Sequence, residues 1–448
     1  MHCILQIWEA LMRTILALAC ATAACMAVSA AEAPTFSRDI APILQQNCQG
    51  CHRAGEAAPM PLLTYGQTRP YAAAIKEAVA MRKMPPWFAD PHYGKFSNDR
   101  SLAQHDIDTL IAWANGGAPE GDPKDLPPPK QFLEGWNIPQ PDVVLEMPAA
   151  FNVPATGTID YQYILIPMNF KEDTWVQMAE VRPGDRSVMH HVIAYVRPPG
   201  SKWLKDIQPG VPFVPSDHAS EGKKRDAAFL VGYAPGLPAN ILPDGRAKLI
   251  KAGSDIIFEM HYTTNGKATT DLSKIGLRFA KAPVREQVVT LLAMNGEFTI
   301  PPGDPNYRVE SEFEFGADAR LVNLLPHMHL RGKDFEFKAI YPTGESQVLL
   351  SVPHYSFSWQ SVYNPVNDIV MPKGTRIHCT AHFDNSPNNP YNPDPSKEIK
   401  WGEQSWDEMM IGFFDVAIPR DMKVRDLIVP KKEPATAAAN ATPNKASL

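Results

Sequence analysis

Cysteine is what this chain has least of. Six are spread over 448 residues, and a product cut near Ala33 keeps Cys48, Cys51 and Cys379. That excludes a disulfide framework, so stability has to come from packing. No block of lysine or arginine stands out and the formal net charge is −6, which leaves a nucleic-acid partner without electrostatic support. The apolar run from Thr14 to Val28 is short and Ala-rich for a stable membrane span. Glycine (27) is outnumbered by proline (44), a balance that favours short strands, turns and stiff connectors over long helices.

The residues present begin with a leader. "MRTILALACATAACMAVSAAEA" carries Arg13, an apolar stretch and small residues around Ala30 and Ala33, the pattern of an export signal over residues 1–33, with Met12 an alternative start. The expected location is periplasmic or secreted. Neither Cys20 nor Cys25 has a leucine three residues before it, which argues against a lipoprotein cysteine.

"NCQGCH" at 47–52 has the C-x-x-C-H spacing of covalent haem c attachment. Cys48 and Cys51 would supply the thioether bonds and His52 an axial imidazole. No second Cys/His pair follows to make a zinc site. A soft thioether is expected as sixth ligand. Met60, Met81 and Met84 are the candidates. Met84 is preferred because "RKMPPW" precedes an amphipathic helix in "SLAQHDIDTLIAWANGGAP". This order resembles the cytochrome c family and implies a small all-α cytochrome c domain over 34–120. His92 and His105 read as surface residues.

Residues 121–142, "GDPKDLPPPKQFLEGWNIPQPD", read as a stiff proline-rich linker. Beyond them, alternating runs such as "YQYILIPM", "SDIIFEMHY" and "DFEFKAIYP" are punctuated by turn residues, which predicts all-β sandwiches or jelly rolls. Two are expected, over 143–285 and 286–430, followed by a disordered tail at 431–448.

Within the β region lie "MHHV" (189–192), "EMHYTTNG" (259–266), "PHMHLRG" (326–332) and "WDEMMIGFF" (406–414). His327 and His329, at i and i+2 of an extended segment, point to one face about 6.6 Å apart. Adjacent His190 and His191 can share an ion only at a bend or bulge. His378 and His382, four residues apart on a strand, are separated by about 13 Å and read as structural or surface residues, as does His218 in a polar loop.

Taken together, the series resembles the copper type II, ascorbate-dependent monooxygenases, the family of peptidylglycine hydroxylase and dopamine β-hydroxylase, over about 145–420. The resemblance implies two jelly-roll sandwiches and two copper ions. One would be held by His190, His191 and His261 for electron transfer. The other would be held by His327, His329 and Met409, the catalytic set, with Met410 as local competitor for the sulfur. "HYSFSWQ" from His354 and "GTRIHCTAHFDN" are further similar stretches. Imidazole suits copper in both oxidation states and a thioether favours Cu(I). Three histidines alone would equally suit a catalytic zinc, with Glu259 as general base.

The chain departs from that family in its few cysteines, in its fused cytochrome and at three positions. The peptide-amidating member binds a substrate carboxylate with Arg, Asn and Tyr, where this chain has Leu325, Ile411 and Phe413. The expectation is therefore a hydroxylase of a less polar small molecule using O2. Electrons would come from a periplasmic donor (a cytochrome, an ascorbate-like or a quinol-derived reductant) through haem c. A non-catalytic haem/copper electron-transfer or copper-binding protein is the alternative.

Overall fold

The structure, a computed structural model, describes residues 32–56, 58, 60–132, 135–214 and 226–429. Of the expected leader at 1–33, all but residues 32 and 33 lies outside these, as do the expected tail at 431–448 and His218. The chain divides into two compact units.

The first unit comprises residues up to 54, 60–81 and 102–129, and its main described elements are the helices Ala41–Asn47, Ala72–Ala80 and Gln104–Asn115. The last is the helix predicted from the 101–119 stretch. Ile107, Leu110 and Trp113 recur at i, i+3 and i+6 on its buried side. They meet Phe36, Ile40, Leu44, Ile75 and Val79 in one core. Gly117, at φ 87°, ends it in the left-handed region. Trp113 Nε1 then donates to the Pro119 carbonyl at 2.9 Å, and the Tyr65 hydroxyl to that of Ala118 at 2.9 Å.

The second unit includes two stretches that the sequence reading assigned to 34–120. Residues 55, 56, 58 and 82–101 group with the β structure instead. The reason is aromatic. Trp87 and Phe96 cluster with Tyr363 at centroid distances of 4.9 and 5.5 Å. Backbone bonds from Asp90 to Ser351 and from Val366 to Lys95 fasten the stretch along its length. The linker also behaves differently in its second half. Ile138 is buried, and Asn137 donates to Glu180. Trp136 and Pro141 lie so close over Gly276 that a Cβ there would come within 2.8 Å of both.

The β region has two cores, one built from Met147 to Leu277 and one from Leu291 to Leu427. Each has its own four-stranded sheet. The first orders Gln162–Ile166, Asp255–Tyr262, Met189–Arg197 and Ala228–Tyr233; the second orders Tyr307–Glu314, Arg376–Phe383, Gly332–Ile340 and Ser346–Val352. The opposing sheet is shared. It runs from Val143–Glu146 through Lys274–Phe279, Thr174–Arg182 and Arg246–Ile250, then across to Glu286–Asn295, Met410–Pro419, Ala319–His327 and Ile369–Met371. The crossing is a short parallel pairing, Arg246 with Glu286 and Ala247 with Gln287. Beside it the buried Lys248 ammonium lies 3.4 Å from Asp415, and Asp415 also accepts from Thr290 and Asn323.

Candidate metal centres

In the strand Met189–Arg197 the pairing to Asp255–Tyr262 slips between Met189 and His191. His190 is the extra residue of a β-bulge, the condition under which neighbouring histidines can converge. Val192 and Ala194 then enter the first core, while Ile193 and Tyr195 face away from it. His191 shares that outward side and pairs with His261. His190 and His191 bring their Nδ1 atoms to 3.1 Å, and one ligand nitrogen from each of His190, His191 and His261 lies within 4.8 Å of the others.

A first-row ion with metal–nitrogen bonds of about 2.0 Å needs ligand nitrogens about 3.3–4 Å apart, so the three rings close on one ion with small adjustments. Burial pushes the imidazoles toward the neutral form, His190 to about 4, His261 to about 3 and His191 well below its ordinary value. His261 Nδ1 is buried without a hydrogen-bond partner, a state that costs about 1–3 kcal/mol unless something fills it. The donor set therefore fits a metal. Tyr161 stacks on His261 at 4.6 Å and packs against His191 at 5.4 Å.

The second set sits on the shared sheet. His327 pairs with Ile411 at the end of the ladder between Ala319–His327 and Met410–Pro419. Alternation sends Leu324, Met328 and Met410 into the second core. It leaves Leu325, His327, Ile411 and Phe413 on the opposite face. Met410 is fully buried and Met409 half-buried, so the sulfur not consumed by the core is that of Met409. The His327 and His329 rings stand perpendicular with centroids 5.3 Å apart.

Hydrogen bonds fix both tautomers. His327 Nδ1 meets the Gln360 amide oxygen at 2.9 Å, and His329 Nδ1 meets the Asp407 carbonyl at 3.3 Å. Each acceptor holds a proton on Nδ1 and frees Nε2 as a ligand. Burial lowers the basicity of both rings. Glu408, fully buried, accepts the backbone N–H of His329 at 2.8 Å and of Arg331 at 2.6 Å, and burial pushes its carboxyl up to about 8. Tyr355 brackets Met328 by donating to its carbonyl and accepting from its N–H, at 2.8 and 3.1 Å.

The sequence reading missed Gln360, Tyr355 and Glu408. "HYSFSWQ" was visible as a stretch, but which of its side chains reach back to the histidines depends on an irregular turn with no periodicity.

At the haem motif, Cys48 and His52 continue the turn after Ala41–Asn47, with the His52 N–H bonded to the Cys48 carbonyl at 2.9 Å. Cys48 is half-buried and Cys51 exposed, both as free thiols; burial pushes the Cys48 thiol up to about 12. His52 Nδ1 lies 3.1 Å from the Met60 carbonyl, which frees Nε2 for an axial bond, so these residues fit a covalently held haem. Among the sulfur candidates, Met60 packs against the helical core, Met81 is exposed and Met84 belongs to the stretch 82–101 of the second unit.

The remaining histidines have ordinary roles. His378 lies 2.9 Å from Glu310, His382 2.7 Å from Asp334, and exposed His92 2.6 Å from Asp90; His105 is exposed on its helix. Glu259 is buried and accepts from the Tyr163 hydroxyl at 2.9 Å. Leu325 and Phe413 form a cross-strand pair, and Phe413 lies 6.1 Å from His327 and 6.3 Å from Phe229.

No protein-family profile and no curated protein matches the chain. Among solved structures it is similar to a protein from Eubacterium rectale described as secreted, at 9% identity over 60% of this chain and 70% of that one, with a TM-score of 0.19. The infectious bursal disease virus Gx strain follows at 8% identity, 64% and 74% coverage and a TM-score of 0.17. Allantoicase from Saccharomyces cerevisiae stands at 7% identity, 59% and 80% coverage and 0.17. Likeness at this level carries no argument about function. Among the described residues no helix is long and apolar enough to cross a membrane.

Proposed function

We propose that this chain is an exported dicopper monooxygenase of two jelly-roll sandwiches, fed with electrons by a fused cytochrome c domain. The overall reaction is R–H + O2 + 2 e⁻ + 2 H⁺ → R–OH + H2O. One oxygen atom enters product, the other leaves as water, and the two electrons come from a periplasmic donor. When bound, copper at the first site relays single electrons and copper at the second activates dioxygen. Haem c would be held by Cys48, Cys51 and His52, with a thioether expected as sixth ligand.

The observation that carries this reading is the convergence of His190, His191 and His261, with an orphaned Nδ1 on His261, together with the His327 and His329 rings 5.3 Å apart. The chain's own residues do the positioning. Gln360 and the Asp407 carbonyl orient the catalytic imidazoles, and Glu408 ties the His-x-His turn to the methionine segment. Leu325, Ile411 and Phe413 offer an uncharged wall beside His327, suited to a less polar substrate than a peptide carboxylate.

The test is haem and metal content per chain after copper reconstitution. One haem and two coppers, falling to about one copper in Met409→Ala, supports the proposal. Zinc in place of copper overturns it. A copper count unmoved by the substitution leaves a copper-binding or electron-transfer protein.

A further inference from the structure

Phe357 comes from the second sandwich yet stacks on His190 of the first, with ring centroids 4.6 Å apart and planes 22° from parallel. It also meets the ring of His329, with centroids 5.8 Å apart and planes at 77°. Its carbonyl accepts from Gln360 Nε2 at 2.9 Å, and the opposite end of that amide holds His327 Nδ1. Two residues therefore connect a ligand of the first set to both histidines of the second.

We infer that Phe357 and Gln360 are positioning residues that couple the two metal sites, so that filling the first set raises the affinity of the second. This rests on the reading that both sets bind metal. His190 is the bulge residue skipped by the strand pairing, so its ring is oriented by side-chain contacts rather than by the ladder. An ion that fixes the ring also fixes the face against which Phe357 lies. Phe357 lies in a stretch without regular secondary structure, held through its carbonyl by the amide that orients His327. Ordering one end lowers the entropy lost on ordering the other, which is positive coupling. Repulsion between two cations opposes it. That term persists when Phe357 is replaced, so a double-mutant cycle isolates the ring's contribution.

The experiment is Cu(I) titration of the metal-stripped full chain against a chromophoric chelator. In the wild-type background, His261→Ala is expected to weaken Cu(I) at the remaining His327/His329/Met409 site about tenfold. In a Phe357→Leu background the same change should weaken it less than about twofold, whereas Phe357→Tyr, which keeps the stacked ring, should behave as wild type. An equal penalty in both backgrounds overturns the inference and leaves the two-site reading intact; fewer than two coppers in the wild type overturns both. A second readout needs no metal. In the stripped protein, imidazole resonances of both His190 and His327 should move on Phe357→Leu, and movement of His190 alone would also overturn the inference.

Discussion

The Gln360 amide oxygen sits 2.9 Å from His327 Nδ1, and the same side chain is buried and bonded to the Phe357 carbonyl and the Tyr355 hydroxyl. The glutamine therefore presents its oxygen, not its nitrogen, to the ring. Gln360→Leu would leave a buried Nδ1–H unpaired and the ring free to turn. Such outer partners typically contribute 10–100-fold to metal affinity. Competition titration should show a loss of about that size at the second site. An unchanged affinity would mean that the imidazole is held by packing alone.

Met409 and Met410 separate by what each substitution costs. Met410 is fully buried in the second core, so Met410→Ala should lower unfolding stability by about 2–5 kcal/mol while the copper count stays whole. Met409 is only half-buried. Met409→Ala should leave denaturant midpoints nearly unmoved and weaken one copper. The reverse pattern would assign the sulfur ligand to Met410.

Much of this was legible in the sequence, and the exceptions have physical causes. Period-two alternation puts His378 and His382 on one face of a strand, and in Arg376–Phe383 both fall on the less buried side. The need for a bulge at His190 could be stated in advance, because adjacent side chains on a regular strand diverge; that the bulge forms there is a property of the pairing with Asp255–Tyr262. The shared sheet was hidden because a parallel pairing of two residues leaves no periodic trace. The stretch 82–101 was misplaced because Trp87 and Phe96 find Tyr363 more than 250 positions away.

Acid should destabilise the metal-free protein. Burial lowers the basicity of His190, His191, His261, His327 and His329 below the ordinary value of 6.5, to about 4 for His190 and about 3 for His261. Below pH 6.5 the unfolded chain binds protons that the folded chain refuses, so this stability is complete above 6.5 and is lost as pH falls toward the folded values. Glu408 acts oppositely. Its carboxyl is raised from 4.5 to about 8, so its contribution is complete below 4.5 and is lost as pH rises through 8. Five histidines outweigh one carboxyl between pH 6.5 and 4.5. The melting temperature in chelator should therefore fall from pH 7 to pH 5, and less steeply in His261→Leu. A flat profile would mean that the imidazoles are solvated.

Lys248 and Asp415 make the clearest stability prediction. Lys248 stands on Arg246–Ile250 and Asp415 on Met410–Pro419, both are buried, and they lie 3.4 Å apart where the shared sheet crosses between the two cores. A buried pair contributes little beyond what well-packed apolar residues would, but removing one partner strands the other charge at a cost of about 3–5 kcal/mol. Lys248→Met should therefore be strongly destabilising, because Thr290 and Asn323 can satisfy the carboxylate's oxygens without balancing its charge. The double variant Lys248→Met, Asp415→Leu removes both charges and should recover most of the loss. Urea melts of the four proteins close the cycle. If the double variant were as unstable as the sum of the single ones, Lys248 and Asp415 would act independently, and the seam would be held by the strand pairing and by Arg246 with Glu286 and Asp368.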